Sequence, residues 1–124
     1  MVVILNYRQA VDYIEQIPKF TEKHPLEHTK EMLRRLGNPQ NDFRVIHVAG
    51  TNGKGSVCAY LASMLKQGGY RAGLFTSPHL VTINERFQIN GEMISDQVFL
   101  KTFLRVKEVI DQAVAEGMGH PSYF

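Results

Sequence analysis

The chain has a single cysteine, Cys58, among its 124 residues, and that scarcity excludes two kinds of small protein. No intramolecular disulfide framework can form, and no cysteine-cluster zinc site can be built. Excess charge is scarce too. The formal net charge is +2, with no lysine-arginine run and no interleaving of basic and aromatic residues, so neither nucleic acid nor a membrane surface is indicated as a partner. Long apolar runs are missing. Met1-Val-Val-Ile-Leu5 is too short to cross a bilayer and lacks the basic leader of a signal peptide, which makes a reducing cytoplasm the expected location. There is no internal repeat and no low-complexity segment. The remaining composition, 44% hydrophobic and 21% charged, is that of a soluble globular domain, or part of one, with one modest core.

Four helices are legible. Asn6 is placed to cap a helix whose apolar residues Tyr7, Val11, Ile14 and Ile17 recur at helical spacing, and Pro18 ends it. After the polar connector Lys19-Phe-Thr-Glu-Lys-His24, Pro25 suits a first turn. Leu26, Thr29, Leu33 and Leu36 then line one face, with Gly37 and Pro39 as the stop. A third helix carries Val57, Leu61, Met64 and Leu65 and ends at Gly68-Gly69; Cys58 inside it reads as a small buried filler. A fourth is capped by Ser95, presents Phe99, Phe103, Val106, Ile110 and Ala113 as a core stripe, and ends near Gly117.

Phe43 to Ala49 reads as a buried strand, because Val45, Ile46 and Val48 are β-formers in a run too short for a stable helix. His47 within it reads as a satisfied core or near-core group. Arg71 to Thr76 reads as a second strand, so that strand, helix and strand form a parallel βαβ unit. Asn90-Gly91, between Phe87/Ile89 and Met93, predicts a tight antiparallel hairpin, since both residues tolerate positive φ.

The loop between the first strand and the third helix carries the chemistry. Gly50-Thr-Asn-Gly-Lys-Gly-Ser56 places glycines where a backbone must curl so that successive N–H groups converge, just before a helix whose N-terminal end is positive. Such a nest suits a polyphosphate, ATP or GTP. Lys54 would put a mobile cation on the terminal phosphates, and a nearby hydroxyl could reach a phosphate oxygen or magnesium. The spacing departs from the standard G-x-x-x-x-G-K-[ST] loop: Val48 stands where its first glycine would fall, and Gly55 displaces the hydroxyl to Ser56. The plain alternative is a tight turn with Lys54 solvated on the surface.

With these departures the loop resembles that of the Mur-ligase-like ATP-dependent amide ligases. The Gly55-Ser56 ending is similar to the folylpolyglutamate synthase and dihydrofolate synthase branch. Thr76-Ser-Pro-His-Leu80, Asn84-Glu-Arg86 and Ser122-Tyr-Phe124 resemble the same branch, in order and at plausible spacing. The implied fold class is α/β, a P-loop nucleotide-binding βαβ core with N-terminal helices and a β-hairpin. Residues 1–124 would be the first portion of a larger ATP-binding domain, with the rest of that domain and a C-terminal domain absent. Two strands and a hairpin are also too little sheet to cover three long amphipathic helices.

The resemblance implies that ATP converts a pteroate or folate carboxylate to an acyl phosphate, which the amine of L-glutamate attacks to give an amide. It implies an ATP site at Thr51, Asn52, Gly53, Lys54, Gly55 and Ser56, with Lys54 as the catalytic residue. Ser77 matches a magnesium ligand, although Ser77-Pro78 taken alone is a plain turn. Pro78 and His79, with the residues to Arg86, match a mobile loop near the pterin and ATP, while Glu85 and Arg86 read equally as a local ion pair. Ser122, Tyr123 and Phe124 match the start of a pterin-binding segment, where an aromatic ring can stack on a flat heterocycle. Thr21, Glu22, Lys23 and His24 match another pterin-contacting stretch less closely. ATP and Mg2+ are the implied cofactors and a monomer is expected. The 124 residues alone are expected not to catalyse ligation, because further metal, ATP and glutamate ligands of the family lie beyond Phe124. Two other readings stand beside this one: a Mur-type ligase acting on a peptidoglycan precursor, and a non-catalytic nucleotide-binding switch.

Overall fold

The computed structural model describes residues 3–19 and 21–123; Met1, Val2, Phe20 and Phe124 lie outside the described residues. The chain divides into two compact units, one taking in the chain up to Arg44 together with Leu100 onward, the other Val45–Phe99.

The first unit is helical. Helix α1 (Tyr7–Gln16) starts where the Asn6 side chain accepts the Gln9 N–H at 2.9 Å, which satisfies one of the amides that a helix start leaves without a partner. A 3₁₀ turn, Ile17–Lys19, follows it at the expected proline, and α2 (Leu26–Arg35) begins directly after Pro25. The unit is completed by the later turns of α4 (Asp96–Ala115). Ala10 and Ala113 are fully buried, small side chains at positions that let helices approach closely. Tyr13 of α1 meets Phe103 of α4 edge-on, with ring centroids 5.7 Å apart, and the Lys107 ammonium lies 5.4 Å from the Tyr13 ring centroid. Lys107 is only 7% exposed and pairs with Asp111 one turn on. Burial, and then the Asp111 carboxylate, push the Tyr13 phenol above its ordinary range. Arg35 binds Glu31 within α2 and Glu116 at the end of α4. Hydrogen bonds from Arg34 and Arg35 pull the Glu31 carboxyl down to about 2.

The second unit holds α3 (Lys54–Gln67) and a three-stranded sheet, β1 (Gly73–Phe75), β2 (Phe87–Ile89) and β3 (Glu92–Met93), in the order β1-β2-β3. Both pairings are antiparallel, with Phe75 opposite Phe87 and Ile89 opposite Glu92. The hairpin turn is the expected one: Asn90 and Gly91 have φ of 50° and 82°, the left-handed pair that matches strand twist. Asn90 extends the sheet by exchanging two bonds with the Ala72 backbone, each 2.9 Å. Phe87 packs between Phe75 and Phe99 at 5.3 and 6.0 Å. The buried Asn84 amide donates to the Ile94 carbonyl and to Asp96 Oδ1, which fastens the turn before β2 to the start of α4.

Helices α2, α3 and α4 share one ending. Gly37, Gly69 and Gly117 adopt φ of 87°, 84° and 93°. In each case the glycine N–H and the next N–H reach back to carbonyls three and five residues earlier, the αL stop that glycine adopts without steric cost.

The parallel βαβ unit is not formed among the described residues. Residues 44–50 carry no strand assignment, and β1 pairs with the antiparallel β2. Val45 and Ile46 are 68% and 62% exposed, and His47 is exposed as well. The reason is physical: β-forming side chains favour extended backbone, but a strand exists only where a neighbour supplies the ladder. Helix α3 shows the same surplus. Leu61, Leu65 and Cys58 are half-buried, Val57 and Met64 are exposed, and no α3 residue is buried.

Candidate functional site

The glycine-rich loop leads into α3 in the second unit. Gly53 holds the position before the first helical residue with φ 75°, and Gly50 has φ 155°. No side chain caps α3, and no acidic residue stands in its first turn. The amides that open this helix are therefore left for solvent or an anion, at the end where the helix dipole is positive. Gly55 has an ordinary φ, and a Cβ built there would meet no protein atom within 4 Å, so neither strain nor packing accounts for a glycine at that position. Close approach of a ligand to the backbone would account for it. Lys54 folds back over the loop, its Nζ donating to the Gly50 carbonyl at 2.5 Å and to that of Thr51 at 3.5 Å. Thr51, Asn52, Gly53, Lys54, Gly55 and Ser56 are all exposed. A curled backbone, an uncapped helix start and one ammonium on a flexible stem are what a polyphosphate needs.

Ser77, Pro78 and His79 lie in the same unit, after β1, with a cis peptide bond between Ser77 and Pro78. Ser77 is exposed. Among the described residues no cluster of three or more His, Cys, Asp or Glu could hold a metal ion, so Ser77 would supply one ligand to a divalent cation and not a whole site. The loop that follows is braced from within. Glu85 accepts the Leu80, Val81 and Thr82 N–H groups at 2.9, 2.7 and 2.7 Å, and Thr82 with Glu85 forms a capping box. Those backbone bonds hold the Glu85 carboxyl below its usual range. Arg86 Nε donates to His79 Nδ1 at 2.8 Å, which leaves the imidazole proton on Nε2. Glu85 and Arg86 thus each serve the loop backbone or His79. At the tip, Leu80 and Val81 are 92% and 84% exposed.

In the first unit the structure brings the other candidates together. The Thr21 hydroxyl donates to the Ile17 carbonyl, Glu22 and Lys23 are exposed, and His24 Nε2 lies 2.8 Å from the His120 carbonyl oxygen. That bond joins the connector to the segment holding the half-buried Ser122 and Tyr123; Phe124 lies outside the described residues. Three participants, Tyr13, His28 and His120, were not marked by sequence reasoning. The one available signal was the pair His24 and His28, four residues apart across the start of α2.

Among the described residues no helix is long and apolar enough to cross a membrane. No protein-family model matches the chain. A dihydrofolate synthase/folylpolyglutamate synthase of Bacillus subtilis is 40% identical over 118 residues, which is 95% of this chain and 27% of that protein. The crystal structure of a Thermotoga maritima folylpolyglutamate synthase superposes with a TM-score of 0.85 at 35% identity, over 95% of this chain and 27% of that one. A folylpolyglutamate synthase in complex with AMPPCP and folate gives 0.88 at 33% identity, over 97% and 30%. The chain therefore spans less than a third of the length of these relatives.

Proposed function

Because the chain belongs to the folylpolyglutamate synthase and dihydrofolate synthase family, of whose members it spans about a quarter, we propose that it is the phosphate-loop portion of an ATP-dependent ligase. The complete enzyme joins L-glutamate to a pteroate or folate carboxylate. The observation that carries this reading is the loop Gly50–Ser56 opening onto the uncapped start of α3 with Lys54 above it. The relative bound to AMPPCP, a methylene analogue of ATP, together with folate supports both ligand classes.

A carboxylate is a poor electrophile and oxide a poor leaving group, so amide formation needs activation. A carboxylate oxygen attacks the γ-phosphorus, the bond to ADP breaks, and an acyl phosphate results. The glutamate amine then attacks the acyl carbon, phosphate departs with the bonding pair, and the amine loses a proton. The chain's own task is positioning and charge neutralisation. The amides at the start of α3 and the loop from Thr51 to Ser56 bind the phosphates. Lys54 leaves the Gly50 carbonyl for the charge that develops between carboxylate and γ-phosphate. Ser77 would hold Mg2+, which screens phosphate charge. Pro78, His79, Ser122 and Tyr123 contact the pterin, with Phe124 and the connector Thr21 to His24 assigned to the same task. The exposed run Val45–His47 and α3 offer a surface for the sheet that the remaining length of the protein would supply. The expected setting is a cytoplasmic monomer without nucleic-acid or membrane partners.

Substrate profiling of the complete protein tests this. ATP-dependent incorporation of glutamate into dihydropteroate or tetrahydrofolate is the expected result. Activity only with a nucleotide-sugar peptidoglycan precursor would move the assignment to the Mur branch, and ATP binding without any ligation would overturn it.

A further inference from the structure

The irregular segment after α4 is held by more specific bonds than an exposed turn requires. The His24 and His28 rings stack nearly parallel, with centroids 4.3 Å apart and planes 11° from each other. Each aims Nε2 at a carbonyl of the same short stretch: His24 at His120 O, 2.8 Å, and His28 at Gly119 O, 2.5 Å. A carbonyl only accepts, so both imidazoles carry their proton on Nε2. His120 is held from the other side, where the Tyr13 hydroxyl lies 2.6 Å from its Nε2. Its Nδ1 lies 2.8 Å from the Pro121 carbonyl and must donate, so Nε2 accepts the Tyr13 proton. A Cβ added to Gly119 would run into the His24 ring. Pro121 closes one side of a small apolar cavity of about 160 Å³ between α2 and α4, lined also by His28, Met32, Leu36 and Val106.

The geometry points to Tyr13, His24, His28 and His120 as positioning residues that clamp Gly119–Pro121 and so aim Ser122 and Tyr123 at the flat heterocycle of the substrate. This rests on the ligase reading above. Beside the pterin contact assigned to the connector above, His24 acts through the chain it grips: its Nε2 is committed to a backbone carbonyl and one ring face to His28. The clamp joins α1, α2 and the segment following α4, parts of the chain far apart in sequence, and its bonds fix the direction in which the chain leaves Pro121. An aromatic side chain that stacks on a heterocycle gains only when its plane is set in advance.

The test uses the complete protein. His28→Ala and Gly119→Ala are expected to raise the KM for the pteroate or folate substrate about tenfold, because a small misplacement of a contact residue is costly. The KM for ATP should stay within about twofold, since the nucleotide site is untouched. His28→Gln, which keeps an N–H donor, should recover most of the loss, as a purely space-filling role would not predict. Tyr13→Phe removes a single oxygen and guards against loss of folding in the larger changes. Equal rises in both KM values, or no rise in folded variants, would overturn the clamp. Tyr123→Ala separates the two levels of argument. If it raises the pterin KM while His28→Ala does not, only the clamp fails; if it changes nothing, the pterin assignment fails and the clamp's purpose with it. Ring-nitrogen NMR in mildly alkaline solution gives a readout independent of activity. Nε2–H tautomers for His24 and His28 and Nδ1–H for His120 are expected, and the opposite tautomers would refute the clamp.

Discussion

Lys54 Nζ lies 2.5 Å from the carbonyl oxygen of Gly50, four residues back along the loop that opens α3. The ammonium is thus stored on the loop's own backbone, in an exposed bond that one swing of a flexible stem can exchange for a phosphate oxygen. Lys54→Ala should weaken ATP binding by at least tenfold, in line with the ~1.5–3 kcal/mol of a hydrogen bond to a charged group. Stability should change by less than about 0.5 kcal/mol, as for most exposed positions. Calorimetric titration and a thermal melt on the same sample check both halves; unchanged ATP affinity would remove the central assignment.

Gly53 and Gly55 should respond differently to alanine. At Gly53, φ is 75°, so a Cβ imposes left-handed strain of about 1–2 kcal/mol on the folded protein. At Gly55 the backbone is ordinary and the surrounding space is empty of protein. Gly55→Ala should therefore leave the melting temperature almost unchanged while lowering nucleotide affinity. A stability loss at Gly55 as large as that at Gly53 would mean that packing, and not ligand approach, accounts for the second glycine.

Glu85 makes the Ser77–Arg86 loop sensitive to acid. Its carboxyl is held below the ordinary 4.5 by the N–H groups of Leu80, Thr82 and Val81. A depressed folded-state value means that the bracing is fully present above the unfolded-state pKa and is lost as pH falls through the folded one. Amide exchange at residues 80–82, corrected for intrinsic rates, should show protection that declines as pH falls through the lowered Glu85 range. Glu85→Gln should weaken that protection already at neutral pH.

Asn84 is buried at 5% exposure and donates to both Ile94 O and Asp96 Oδ1. Asn84→Ala should cost about 2 kcal/mol, because it removes two bonds and leaves acceptors poorly satisfied. Denaturant unfolding with an unchanged slope would register the loss as a shift of midpoint.

The parts of the fold that were legible in the sequence are those governed by neighbours along the chain. Asn6 and Ser95 at helix starts, glycines 37, 69 and 117 at helix ends, and Asn90-Gly91 in the hairpin act within a few residues of themselves, and all stand where local chemistry placed them. The partner of β1 was not legible. Pairing is a long-range choice, and Gly73–Phe75 reads identically whether its neighbour is parallel or antiparallel. The β-forming run from Phe43 to Ala49 carries no strand assignment for the same reason. Within the candidate site the loop and Lys54 carried their own pattern, whereas the Tyr13–His120 bond spans 107 residues of sequence and has no local signature. The Thr82–Glu85 capping box has a local signature, T-x-x-E, that competes with the ion-pair reading of Glu85 and Arg86.

Phe43, Val45, Ile46 and Val48 also govern how the chain behaves in a test tube. They form a short, β-prone, proline-free run in which Phe43, Val45 and Ile46 are exposed, in a chain where β1 is an edge of the sheet among the described residues. Extended segments of this kind recruit copies of themselves and template stacking into fibrils. Expressed by itself, the 124-residue chain should lose monomer with rising concentration and gain thioflavin-binding material. Ile46→Lys, a gatekeeper charge at an exposed position, should suppress both without lowering the melting temperature.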